Sequence, residues 1–233
     1  MVPRKDLRTY RKGAEPRFAG QVQPGTSPRV IEVFADVRCP FAHVGLRRIV
    51  SEREARGVSV PLWVRAWPLE LVNAAPLDPV LIAEEIDALR SQVASELFAG
   101  FDVATVSATS LPAMALTAGA YAIRPEVGER VALALRWALF EEGRDISTPA
   151  VLLDIAESAG MGLPHNCEQD RVRDDLAEGR DRGVIGSPHF FIGDADYFCP
   201  TLDITHSDGR LLVARDRTTF LEMIDKAFAV RRT

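Results

Sequence analysis

Cysteine is scarce in this chain of 233 residues, which holds only Cys39, Cys167 and Cys199. A low, odd count does not suit the disulfide framework of a small secreted domain. Long apolar runs are also missing, and nothing approaches the roughly 18 residues that span a bilayer as a helix. The first residues are basic, yet no apolar segment and no small-residue cleavage site follow, so no Sec signal peptide is expected. Charge of one sign is not in large excess. The 28 Lys and Arg stand against 33 Asp and Glu, and the net charge of −5 offers no global attraction for nucleic acid. There is no phosphate-cradling glycine loop and no G-x-S-x-G elbow. None of the four histidines shares a zinc-like spacing with the cysteines, so no metal is expected. Together these absences point to a cytoplasmic protein with no nucleic-acid or membrane partner and no tightly bound cofactor.

What is present is an ordinary globular composition, 47% hydrophobic and 26% charged, with enough chain for a sizeable core. Residues 1–27 are the exception. Arg4, Lys5, Arg8, Arg11, Lys12 and Arg17 outnumber Asp6 and Glu15, and prolines and glycines interrupt any apolar period, so this stretch reads as a solvated basic arm. RVIEVFA (29–35) then reads as a strand, and PFAHVGLRRIVSEREARG as a helix opened by Pro40 and stopped at Gly57. VSVPLWVRAWPLE (58–70) is a second extended run, with Pro61 near its entry.

From about residue 75 the spacing turns helical in four segments: PVLIAEEIDALRSQVASELFAG, PAMALTAGAYAIR, PEVGERVALALRWALFEEG and TPAVLLDIAESAG. Ser110 and Ser147 stand where N-caps belong, and Gly143 and Gly160 where helices end. The alanines from 113 to 122 predict close helix packing. A charged helix follows Cys167, then VIGSPHFFIG as a short strand, DADYFCPTLDI as its returning partner, GRLLVA as a further extended run, and TTFLEMIDKAFAV as an amphipathic helix. The expected order is β-α-β, a helical block, then β-β-α.

Two local features carry chemistry. Cys39 directly precedes a proline-led helix, where unpaired N–H groups and the helix dipole favour a thiolate. An ordinary thiol is about 3% ionised at neutral pH, and helix N-termini lower its pKa to about 3.5–7.5. A strand-cysteine-helix order also places the sulfur at the carboxyl edge of a sheet, where α/β folds bind ligands. The second feature is Ser187-Pro188 at the head of a strand. A cis peptide there would turn the Ser187 backbone outward to pair with an extended ligand.

In order and separation, VFADVRCPFAHVGLRRI, LRWALFEEGRDISTPAVLLDIAESAGM and GVIGSPHFFIG resemble the DsbA-like branch of the thioredoxin superfamily. They are most similar to FrnE-type oxidoreductases, 2-hydroxychromene-2-carboxylate isomerases and kappa-class glutathione transferases. The resemblance implies an α/β thioredoxin fold, built from residues 28–70 and 168–233, with residues 71–167 inserted as a helical subdomain. It places Cys39 at the nucleophile position, and it puts Pro188 opposite at the cis-proline position. Pro40, Phe41 and Ser187 are expected around the ligand, and His189, directly after Pro188, is a binding candidate that faces either the ligand groove or the core. The expected partner is a thiol or disulfide, a small molecule such as glutathione or a protein. A homodimer is a further expectation from the isomerase and transferase relatives.

The chain departs from its relatives at one point. The oxidoreductases carry Cys-x-x-Cys, but here the motif is Cys39-Pro40-Phe41-Ala42, so no disulfide can close within it. The isomerases and transferases instead carry serine at the Cys39 position. The expected function is therefore monothiol exchange, in which a mixed disulfide on Cys39 is resolved by a second thiol. The alternatives are a thiol-cofactor transferase or isomerase and a non-catalytic binding protein. Cys199 is an auxiliary candidate, but one strand is expected between it and the Cys39 strand. Two strand spacings of roughly 10 Å exceed disulfide reach without movement. Cys167 is expected to be structural. His43, one turn after Cys39, is a candidate modulator of its pKa, although a helix N-terminus disfavours imidazolium. Asp36 is expected to cap the turn, the tryptophans to line the core or groove, and Phe41 to be exposed beside the thiol.

Overall fold

The computed structural model describes residues 30–163 and 167–229; the basic arm and the Cys167 side chain lie outside the described part. The β-branched run forms β1 (Ile31–Ala35), two residues shorter than the pattern predicts. Ile31, Val33 and Ala35 are buried with Leu46 and Ile49 of the helix α1 (Pro40–Arg56), and with Met223 and Ile224 of the last helix. Phe34, on the other face, joins Trp67, Leu176 and Val184 in a separate small core. A strand buried on both faces reads as an apolar run, interrupted here by Glu32, which is half-buried and paired with Arg65 and Arg182.

β2 (Leu62–Ala66) pairs in parallel with β1, and the returning strands β3 (His189–Ile192) and β4 (Ala195–Phe198) pair antiparallel, giving the order β2-β1-β3-β4. Between β2 and β3 run the helices α2 (Leu69–Val72), α3 (Pro79–Gln92), α4 (Leu111–Ile123), α5 (Pro125–Phe140), α6 (Pro149–Ser158) and α7 (Cys167–Asp181). A two-stranded sheet of β5 (Leu202–Ser207) and β6 (Arg210–Arg215) precedes α8 (Arg217–Phe228). The architecture is a thioredoxin fold with a helical insert. No helix among the described residues is long and apolar enough to cross a membrane.

The structure corrects several expectations. α3 stops at Gln92, not near residue 100, because Phe98 takes φ +67 and the Glu141 carboxylate accepts the N–H groups of Phe98 (2.9 Å) and Ala99 (3.1 Å). The end of the 58–70 run turns into α2. The chain finishes β-β-β-β-α, since DADYFCPTLDI splits at Cys199, whose φ is +45, and its two halves serve different sheets. Ser110 and Thr148 occupy the N-cap positions of α4 and α6, but neither side chain caps. The Ser147 hydroxyl instead donates to Asp145 (2.7 Å). Trp137 is exposed, with Arg47 over its ring.

The helical insert is joined to the sheet through Tyr121 of α4. Its hydroxyl donates to the Leu62 carbonyl and accepts from Val64 N–H, both at 2.9 Å, and so covers the free edge of β2. The Tyr121 ring reaches this position because α5 has Gly128 beneath it; a Cβ there would sit 2.1 Å from the ring. Tyr121→Phe strands two edge-strand backbone groups, and unsatisfied buried groups cost about 1–3 kcal/mol each. The variant is expected to keep its helicity and to unfold at lower urea concentration, by at least the lower figure.

Candidate active site

Cys39 is the N-cap of α1, with φ −76 and ψ 114, and Pro40 follows in the first turn. The strand-turn geometry that exposes helical N–H groups is therefore present, and the Ala42 N–H lies against the sulfur. The thiol is nonetheless buried at 5% exposure and donates to the Ser187 carbonyl at 3.1 Å. Burial pushes the Cys39 thiol up to about 12, the Glu85 and Asp36 carboxylates push the same way, and the Ser187 and Ala42 contacts pull it down. This corrects the expectation of a lowered pKa. The helix terminus is in place, but removal of water from the sulfur outweighs it.

The Ser187–Pro188 peptide is cis. Ser187 is tied to the turn before α1 at two points: its hydroxyl accepts the Asp36 N–H (2.9 Å), and its carbonyl accepts the Cys39 thiol. Pro188 is buried and Ser187 half-buried, with the exposed side chains of Ile185 and Phe198 nearby in the same hairpin.

Beneath the thiol lies a buried polar knot. Asp36, fully buried, accepts the N–H groups of Arg38 and Leu69, each at 2.8 Å, so it does cap the turn. Burial holds its carboxyl above the ordinary range, against the pull of Arg38 and Arg136. Arg38, also fully buried, donates to the Ser107 carbonyl (2.8 Å) and lies 3.6 Å from both Asp36 and Glu70. Arg136 of α5 donates to the carbonyls of Ala132 (2.9 Å) and Asp36 (3.3 Å), and its Nε has no partner among the described residues. Burial lowers Arg136 to about 10, and it is near enough to Cys39 for a thiolate to favour its charged form.

Two of the candidate residues turn elsewhere. His43 points away from the thiol: its Nε2 meets Glu141 at 2.7 Å while its ring packs on Phe98 and Phe140, so it holds α1 to the insert. Burial lowers its pKa despite Glu141. His189 stacks on Phe191, takes the Ile185 N–H at Nδ1 (3.3 Å) and meets Asp196 through Nε2 (3.0 Å), on the α7 side of the sheet. Phe41 is half-buried, not exposed, and Ala42 is fully buried.

Cys199 is buried just beyond β4, and its N–H donates to the Pro188 carbonyl at 3.0 Å. β3 does separate β4 from β1, as expected. The cysteine, however, lies past the paired strands, where the chain crosses back beside the Pro188 end.

Arg38, Arg136 and Glu85 also act on this site, and no sequence motif marks them. Arg136 was detectable, since it shares the face of Ala132 and Leu139 in an otherwise apolar stripe. Glu85 lies between Ile82 and Ile86 on α3; burial raises it to about 7, and its charge reaches Cys39. An open groove of about 640 Å³, lined by Arg53, Glu54, Pro125 and Glu129, lies at the far end of α1 and does not serve the thiol.

Among solved structures the fold is similar to the "probable DsbA oxidoreductase" of Streptomyces coelicolor. The two are 18% identical with a TM-score of 0.62, over 88% of this chain and 92% of that one. A 2-hydroxychromene-2-carboxylate isomerase is 15% identical with a TM-score of 0.59, over 72% and 88%. The cytosolic disulfide reductase DsbM from Pseudomonas aeruginosa, solved with GSH, is 14% identical with a TM-score of 0.55, over 85% and 95%. At these identities the likeness concerns the fold alone. No curated protein matches. The model of the DSBA-like thioredoxin domain matches residues 30–208, a span that holds both Cys39 and Pro188, and the chain belongs to that family.

Proposed function

We propose that this chain is a thiol–disulfide oxidoreductase whose nucleophile is Cys39 acting as a monothiol. One observation carries the reading: the Cys39 sulfur lies 3.1 Å from the carbonyl of Ser187, the residue before Pro188, at the mouth of the α1 N-terminus. In that position a disulfide laid along Ser187-Pro188 would meet the sulfur directly. The Cys39 thiolate attacks one sulfur of the partner disulfide, the S–S bond breaks, and the partner's other sulfur leaves as a thiolate that takes a proton. Ala42 has no sulfur to displace the mixed disulfide, so a further thiol completes the exchange. A low-molecular-weight thiol such as glutathione suits this step, and the DsbM neighbour was solved with GSH.

The Ser187 carbonyl now held by Cys39 is the group an incoming backbone would use. Partner binding therefore frees the sulfur from its own hydrogen bond at the moment a disulfide arrives. The isomerase neighbour favours a second reading, in which a bound thiol cofactor acts on an apolar substrate at the same place.

The deciding experiment incubates the full chain with oxidised glutathione in mildly alkaline buffer and maps the adduct by peptide mass. An adduct on Cys39 that is absent in Cys39→Ser is the expected result. No disulfide on Cys39 over many hours, to glutathione or within the chain, would overturn the proposal. Turnover of an aromatic electrophile that strictly needs free thiol, with Cys39→Ser fully active, would transfer the assignment to the second reading.

A further inference from the structure

We infer that Cys199 is the thiol that resolves Cys39, so that the two cysteines on either side of Ser187-Pro188 form a redox pair in place of the missing Cys-x-x-Cys. The inference rests on Cys39 as the nucleophile proposed above and puts Cys199 in place of the external thiol at the resolving step. The contacts run in sequence across one peptide unit. Cys39 donates to the Ser187 carbonyl at 3.1 Å, and the next carbonyl, that of Pro188, accepts the Cys199 N–H at 3.0 Å. Both thiols are free and buried, each at 5% exposure, and the charge of a Cys39 thiolate reaches Cys199.

The segment behind Cys199 rests on the same helix that Cys39 opens. A Cβ placed on Gly45 would sit 3.4 Å from Thr201 Oγ1, and Arg48 donates to the Thr201 carbonyl at 2.7 Å. The turn between β4 and β5 that carries Cys199 is thus held against the helix whose position 42 lacks a sulfur. Burial pushes the Cys199 thiol up to about 12, a Cys39 thiolate opposes it further, and Arg48 pulls the other way, so the resolving thiolate forms as the segment opens to water. Cys199 takes a left-handed backbone at φ +45, a conformation uncommon for a residue with a Cβ and held here by its bond to Pro188. The free thiols still need local movement to bond, since a disulfide brings the two Cα atoms to about 4.4–6.8 Å. The Thr201 hydroxyl, buried and without a hydrogen-bond partner among the described residues, leaves the segment's seat on α1 incompletely satisfied.

The exchange balances in two steps. Cys39 displaces one thiol from the partner disulfide and keeps the other as a mixed disulfide. The Cys199 thiolate then attacks Cys39 Sγ, the mixed disulfide breaks, and the second thiol leaves with a proton. The partner disulfide gains two electrons and the cysteine pair loses two; two equivalents of a low-molecular-weight thiol reverse the change.

The test uses the full chain carrying Cys167→Ser, with and without Cys199→Ser or Cys199→Ala, each checked for native circular dichroism. Oxidised glutathione is added and intact mass is followed with time. With Cys199 present, the glutathione adduct should decay to a species two hydrogens lighter than the reduced chain, with Cys39 and Cys199 joined in one peptide. Without Cys199 the adduct should persist at least about tenfold longer, as expected when an intramolecular thiol of millimolar effective concentration is removed. An adduct equally long-lived with and without Cys199 overturns the inference and leaves the Cys39 reading intact. No adduct in any variant overturns both. If both Cys199 variants misfold, the lighter species in the parent chain decides alone: its absence overturns the pair.

Discussion

At neutral pH, Cys39 of the free protein is expected to react with iodoacetamide about a thousandfold more slowly than an exposed cysteine of ordinary pKa. The physical reason is the shift of the thiol from 9.0 to about 12, three tenfold steps in thiolate fraction, caused first by burial. The rate should rise tenfold per pH unit and show no plateau in the neutral range. A plateau near neutrality would mean that the α1 N-terminus prevails over desolvation, and the resting thiol would then be an activated one. Glu85 supplies an internal check. It is charged above about 7, where its carboxylate opposes a thiolate on Cys39. Glu85→Gln should therefore speed alkylation above that pH and leave it unchanged well below.

Stability follows the same signs. The folded chain holds the Glu85 proton more tightly than the unfolded chain does, so stability from this group is present below 4.5 and lost as pH rises through 7. The Cys39 contribution is likewise lost as pH rises from 9 toward 12. Glu85→Gln should raise the melting temperature in alkaline buffer and not in acid.

Asp36→Ala is expected to produce the largest loss of stability, about 3–5 kcal/mol, the range for breaking a buried charge pair from one side. The substitution strips the fully buried Arg38 of one of its two carboxylates and removes the opposite charge that most favours a charged Arg136. It also orphans the Leu69 and Arg38 N–H groups. Glu70, 3.6 Å from Arg38, offsets part of the loss. Asp36→Asn keeps the size and some of the hydrogen bonds, and should fall between the wild type and alanine. Urea unfolding measures all three. A loss below about 1 kcal/mol for alanine would show that the knot is not closed over these groups, since that is the scale of an exposed ion pair. Because Asp36 opens the turn that carries Cys39, the alanine variant should also alkylate faster at Cys39 while still folded.

The legible parts of this protein were the local ones. A β-branched run, a proline in a first helical turn and a glycine at its end specify β1 and α1, and the structure moves their limits by two residues at most. The helical texture from residue 75 onward was equally plain, although α3 ends early because Glu141, far along the chain, captures the N–H groups that would have continued the turn. His43 reads as a neighbour of the thiol by spacing, and it is one turn away. The direction of its ring is decided by Glu141, 98 residues later.

Cys39 shows the division most clearly. By itself the sequence determined that this cysteine heads a helix, that a Ser-Pro strand entry exists to face it, and that Ala42 leaves its motif one sulfur short. Those properties depend on neighbours in the chain. Only the tertiary structure decided that the thiol is buried and protonated, that Arg136 and Glu85 supply its charges, and that Cys199 comes back beside Pro188. Such contacts join distant segments, as the two at Asp36 that span 100 and 151 residues do, and burial is a sum over contacts of this kind that no local pattern contains.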